Sequence, residues 1–165
     1  MKKGSITKLV TVIMIVAVAI SGYFIFRPSK ANAVDYTNYN LAKQVLVQNE
    51  HATTFKYCSS EAYLVVNVST YQVSVVLANA TETLQDVDIL VMNPADSSSV
   101  AYPSLGLLDD NHYNLIPGKT SSGDNKPSFL LSFDSKNGVS TVYVYLAYTL
   151  NGTRQEEYVE LTPKI

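Results

Sequence analysis

Tryptophan is absent from this chain of 165 residues, cysteine occurs once, histidine twice, and no acidic side chain appears before Asp35. Each gap excludes something. A single cysteine, Cys58, forms no internal disulfide, so the fold must rest on an apolar core. Cys58 is then either a buried small hydrophobe or a partner for a second chain. With only His51 and His112, no recognisable nucleophile motif and no glycine-rich phosphate loop after a strand, the sequence offers no catalytic constellation. A non-enzymatic protein without a cofactor is expected. The early lack of acid hides in a formal charge of −2: residues 1–30 hold five positive charges, leaving seven positive and fourteen negative on the rest, a balance of −7. So acidic a body argues against nucleic acid or an anionic membrane surface as its partner.

What is present begins with Leu9 to Phe26, LVTVIMIVAVAISGYFIF, eighteen residues without a charge. As a helix rising about 1.5 Å per residue it would nearly match the hydrocarbon thickness of a bilayer. Lys2, Lys3 and Lys8 precede it and Arg27 and Lys30 follow, a weak positive-inside bias that suits a retained signal-anchor. Two other fates fit the same residues: cleavage of a secretory signal after Ala31-Asn32-Ala33, or removal of a short basic leader after Gly4. The expected organisation is a membrane helix over 1–27, a linker and then a short helix or first strand over 28–50, and one β-rich domain over 51–165. That domain would lie on the extracytoplasmic side of the membrane.

From Phe55 onward the apolar period is two, in short runs separated by turn residues, with Asn151-Gly152 the strongest hairpin signal. Seven to eight strands with no helical stretch between them predict an antiparallel immunoglobulin-like β-sandwich, without the disulfide and tryptophan of antibody domains. Asp109-Asp110-Asn111-His112 is expected to be a hairpin turn, its two aspartates being weak candidates for calcium through oxygen ligands. Asn67, Asn79 and Asn151 each begin an N-x-Ser/Thr acceptor sequence near a turn, which makes them possible glycosylation sites.

Strand parity points to a contact surface. In the run from 142 to 149, Val142, Val144, Leu146 and Tyr148 form the core set, yet the opposite parity carries Tyr143, Tyr145 and Ala147. A strand facing water should be polar on alternate residues. Leu130, Val76 and Leu90 also occupy the parity opposite their own core sets. Tyr143, Tyr145, Leu130, Leu90 and Val76 are therefore expected to form an apolar outer face that binds other proteins, as a homo- or hetero-oligomer.

Tyr71 to Glu160 holds VSVVLANATETLQDVDILV, a Leu-Ile-Pro-Gly turn at 115–118 and VYVYLAYTLNGTRQEEYVEL. This stretch resembles the immunoglobulin-like domains repeated in archaeal surface-layer-associated proteins. Joined to one N-terminal apolar helix, the layout resembles the FlaF/FlaG family of archaellum stator proteins. The resemblance implies a sandwich held outside the membrane that engages the surface layer or a sister sandwich protein of the envelope. Lys2-Lys3-Gly4 before the apolar run also resembles the leader of archaeal pilins, which implies a filament subunit, either with its helix in the core or with residues 34–50 donated as a strand. A secreted adhesive module is the third expectation.

Overall fold

A computed structural model of the chain describes residues 35–96, 100–108 and 111–165. The expected membrane helix at Leu9–Phe26 lies outside the described residues, as do Asp109 and Asp110. Among the described residues no helix is long and apolar enough to cross a membrane. One compact unit spans Val34–Ile165. It is mostly β, with antiparallel sheets and one helix, in a sandwich-like arrangement.

The helix, α1 (Thr37–Gln48), is followed by β1 (Ser59–Val66), β2 (Tyr71–Ala78), β3 (Gln85–Met92), β4 (Ser104–Leu105), β5 (Asn114–Leu115) and β6 (Asn125–Lys126). Three longer strands complete the chain: β7 (Ser128–Ser135), β8 (Val142–Leu150) and β9 (Thr153–Leu161). One sheet has the order β1-β2-β7 and the other β4-β3-β8-β9, while β5 and β6 form a small parallel pair. The expected hairpin around 109–112 is not formed by its flanks: β4 pairs with β3, and β5 pairs with β6. Leu115 instead exchanges backbone hydrogen bonds with Leu84, each N–H···O distance being 2.9 Å.

Alternation builds the central core. Val73, Val75 and Leu77 of β2 and Leu131 of β7 meet Ile89 and Val91 of β3 and Val144, Leu146 and Tyr148 of β8 in one buried cluster. Cys58 belongs to that cluster, and burial, helped by the charge of Glu157, pushes its thiol up to about 12. The β8–β9 turn reverses through Asn151 and Gly152 at φ 52° and 74°, the left-handed geometry that the Asn-Gly pair predicts. A second glycine is required by space. Gly106 has φ 76°, and a Cβ there would lie 2.8 Å from the Val87 carbonyl oxygen and closer still to the Asp88 carboxylate.

A second core lies on the other side of the four-stranded sheet. Tyr39, Ala42 and Leu46 recur at helical spacing on α1 and pack on Leu90, Met92, Tyr145 and Ala147, with Tyr102 and Leu107 filling the side. Residues 37–48 are thus a helix rather than a first strand, and they belong to the same unit as the sheets. Asp35 accepts the Thr37 N–H at 2.9 Å at the start of α1. At its end the Asn49 side chain donates to the Val45 carbonyl at 2.8 Å. His51 Nε2 stands 2.8 Å from the Leu46 carbonyl, and a carbonyl only accepts, so that nitrogen carries the proton.

Three outcomes follow from these two cores. Leu46→Ala should cost about 2–5 kcal/mol of stability, whereas Leu41→Ala on the exposed side of α1 should change it by under about 0.5 kcal/mol. Urea unfolding followed by tyrosine fluorescence measures both. Gly106→Ala should also destabilise, through backbone strain of about 1–3 kcal/mol plus the clash with Asp88. Cys58 should resist a maleimide at pH 8 in native protein and react at once in urea; rapid native labelling would contradict its burial.

Candidate functional site

The five residues expected to share an apolar outer face do not do so. Leu90 and Tyr145 are buried beneath α1, and Tyr143 is half-buried, its ring stacked on His51 with centroids 3.9 Å apart. The premise that this face is too apolar for water is correct, but the chain's own helix covers it. Leu90, Tyr143 and Tyr145 are therefore not an open surface. His51 is partly buried, its ring against Tyr143. Val76 and Leu130 belong to the other sheet, where Val76 is half-buried and Leu130 is 67% exposed.

The outer face of that three-stranded sheet is fixed by its register. Glu61 lies beside Val76 and Val76 beside Leu130; Tyr63 lies beside Ser74 and Ser74 beside Ser132. The hydroxyls of Ser74 and Ser132 are 2.8 Å apart. Tyr63 is 41% exposed and Val65 54%; Val66 at the end of β1 and Val68 in the β1–β2 turn are also exposed. Lys164 pairs along β1, its N–H donating to the Ala62 carbonyl at 2.8 Å while its carbonyl accepts from Leu64 at 2.7 Å. That brings exposed Ile165 to the same end of the sheet. No single parity signal in β1 could have picked out these residues, because both of its parities are apolar and only the packed structure says which is left in water.

Several polar side chains serve as supports. Asp96 accepts from Ser135 Oγ at 3.1 Å, from Asn137 Nδ2 at 2.6 Å and from the Tyr102 hydroxyl at 3.1 Å. Buried Asn93 donates to Ser135 Oγ at 3.2 Å, closing the knot. This ties the loop after β3 to the end of β7. His112 is exposed and lies 3.6 Å from Asp86. Among the described residues, no group of three or more His, Cys, Asp and Glu converges as a metal site.

Glu156 and Glu157 point to opposite sides of β9. Glu157 is half-buried, accepting from the Tyr148 hydroxyl and from the Lys56 N–H at 2.8 Å. Glu156 takes the hydroxyls of Tyr145 at 3.3 Å and Tyr158 at 2.6 Å. Burial, reinforced by Glu156, pushes the Tyr158 phenol up to about 12. Beside this pair, a pocket of about 250 Å³ is lined by Asn38, Leu41, Asp88, Arg154 and Tyr145 among others, with Asp88 ion-paired to Arg154. Burial holds the Asp88 carboxyl above the usual carboxylate range, against the opposing pull of Arg154. The three acceptor asparagines, Asn67, Asn79 and Asn151, are all exposed. Asn79 is already engaged in the fold, standing at φ 52° and donating to Ser59 Oγ at 3.0 Å.

Comparison with known proteins adds little to this geometry. No protein-family model matches the chain, and no curated protein matches it. A catalytically inactive OgpA from Akkermansia muciniphila, solved in complex with an O-glycopeptide substrate, is similar over 68% of this chain at 12% identity and a TM-score of 0.23. The chain spans 31% of that protein, and so slight a likeness carries no argument about fold or activity.

Proposed function

We propose that the chain is a non-enzymatic interaction protein of the cell envelope. In this reading Leu9–Phe26 holds an immunoglobulin-like body outside the membrane, and that body binds other proteins. The observation that carries the reading is the division of apolar surface between the two sheets. The four-stranded sheet is sealed by α1, while Tyr63, Val65, Val66, Val68 and Leu130, the exposed large apolar residues of the strands and their turns, all lie on the three-stranded side. Exposed apolar residues that cluster are the usual mark of a contact surface; α1 leaves a second set, Leu41 and Val47 with Tyr36 just before it, on the opposite side. Tyr63 on β1 brings contact area at low entropic cost, beside the Lys164–Glu61 ion pair.

The archaellum stator role is the specific form that the sequence resemblance suggests, with a surface-layer or sister sandwich protein as partner. The pilin alternative keeps its leader, but donation of residues 34–50 as a strand meets an obstacle. It would strip Tyr39, Ala42 and Leu46 from their contacts and expose Leu90, Tyr145 and Ala147 to water. At about 25 cal/mol per Å² of apolar area, a neighbour would have to replace most of that burial before binding gained anything.

Cells making the full chain with a C-terminal tag should lose the tag to protease added outside, while the protein stays in the membrane pellet after alkaline carbonate washing. A tag protected until lysis, or a chain released by carbonate, would count against display. With display established, a Tyr63→Lys, Leu130→Lys double variant should keep its unfolding midpoint within a few degrees yet lose co-purification with its envelope partner.

A further inference from the structure

The edges of the two large sheets are not treated alike. Beyond β1, the Lys164 backbone bonds Ala62 and Leu64. Beyond β9, Ala52 donates to the Tyr158 carbonyl and accepts from the Glu160 N–H, both at 2.9 Å. Beyond β3 lies the two-residue strand β4. β7 is different. Its eight residues pair with β2 in unbroken register from Ser128 to Ser135, and among the described residues its backbone bonds to nothing else. Folded proteins blunt such an edge with lysine, proline or a bulge. Ser-Phe-Leu-Leu-Ser-Phe-Asp-Ser has no lysine or proline, and the register shows no bulge.

We propose that this edge is a homotypic docking site: β7 pairs antiparallel with β7 of a second copy of the chain, about a two-fold axis through Leu131. The pattern of the strand selects that partner and that register. A two-fold axis perpendicular to the sheet keeps inner faces on one side, so the register must be centred on a residue rather than between two. Centring on Leu131 sets Phe129 opposite Phe133 of the second copy and Leu131 opposite itself, a Phe-Leu-Phe row that reads the same from both ends. On the outer face Leu130 meets Ser132 and Ser128 meets Asp134. The two Asp134 carboxylates then lie about six strand residues, roughly 20 Å, apart. Centring on Ser132 would instead press Leu130 against Asp134, and centring on Leu130 would oppose Phe133 to Pro127, which has no N–H to give. A three-stranded sheet becomes six strands wide, and the Glu61–Val76–Leu130 row of each copy runs into the Ser132–Ser74–Tyr63 row of the other.

This inference deepens the interaction reading by naming one partner, and its test does not depend on where the chain resides. Leu130 and Ser132 are both exposed, so cysteines there leave the core intact. In the proposed register residue 130 of one copy lies opposite residue 132 of the other, about 5 Å between Cα atoms and within disulfide range. Identical positions lie on a diagonal of about 7–8 Å, too far to bridge. Full-length Leu130→Cys and Ser132→Cys proteins, purified in mild detergent with different tags, are oxidised separately and mixed. The mixture should give a covalent heterodimer at least ten-fold above either variant alone, above Glu61→Cys on β1, and above the unsubstituted chain with its buried Cys58. No heterodimer, or dimers from Leu130→Cys alone, would overturn the proposal. Failure here would leave display untouched, and a cross-linking chain found in the cytosol would sink display alone.

Discussion

β8 is apolar on both faces, and the rest of the unit is arranged to keep both of them dry. Val142, Val144, Leu146 and Tyr148 need one cover, and Tyr145 and Ala147 need another. The three-stranded sheet supplies the first. A free antiparallel sheet would leave the second to water or to a partner. Here the chain supplies it from its own N-terminal side, with twelve residues of α1 that have no acidic residue in the first turn and no basic residue in the last. An isolated helix of that length is marginal in water, so α1 is held by the sheet as much as it shields it.

The same constraint explains the chain's taste in aromatics. A tyrosine in a two-layer body can bury its ring and still reach the rim with its hydroxyl. Tyr145 reaches Glu156, Tyr148 reaches Glu157, and Tyr102 reaches Asp96 and the Asn93 carbonyl. Part of the strongly acidic balance is thereby engaged as hydrogen-bond acceptors rather than spread as bare surface charge. No buried side-chain nitrogen or oxygen among the described residues lacks a hydrogen-bond partner.

How far this was legible in the sequence depended on whether a residue's cover lies near it along the chain. Alternation announced β2, β7 and β8, and Asn151-Gly152 announced the turn between β8 and β9. The parity of Tyr143, Tyr145 and Leu90 correctly announced a second apolar face. What parity cannot say is who covers it: Leu46 and Tyr145 are ninety-nine residues apart. Over 36–50, Leu41 and Val45 fit a helix while Val45 and Val47 fit a strand, and contact with β3 and β8 decides between them. Glu157 is an acid with one partner, Lys56, about as distant in sequence. It sits on the inner parity opposite Leu146, at an edge where Tyr148 and the Lys56 N–H can reach it. The strands either side of residues 109–112 do not pair with each other, because β3 takes one and β6 the other.

With one sheet closed by α1, the asymmetry between the sheets becomes the property that bears on association. A body with a net charge of −7 repels its own copies over most of its surface, an effect screened beyond about 10 Å in 0.1 M salt. Between Ser128 and Ser135, however, the only charge is Asp134, near one end. Approach along that strand meets little repulsion, whereas approach along β9, with Glu156, Glu157 and Glu160, meets much more. Charge placement and edge capping therefore agree. The edges that carry acid or a bridging segment discourage pairing, and the neutral, unbridged one is left where apolar side chains stand beside it. Salt should then loosen the discrimination between edges, because screening relieves repulsion most where the acid is, while the β7 contact gains its energy from backbone hydrogen bonds and apolar burial.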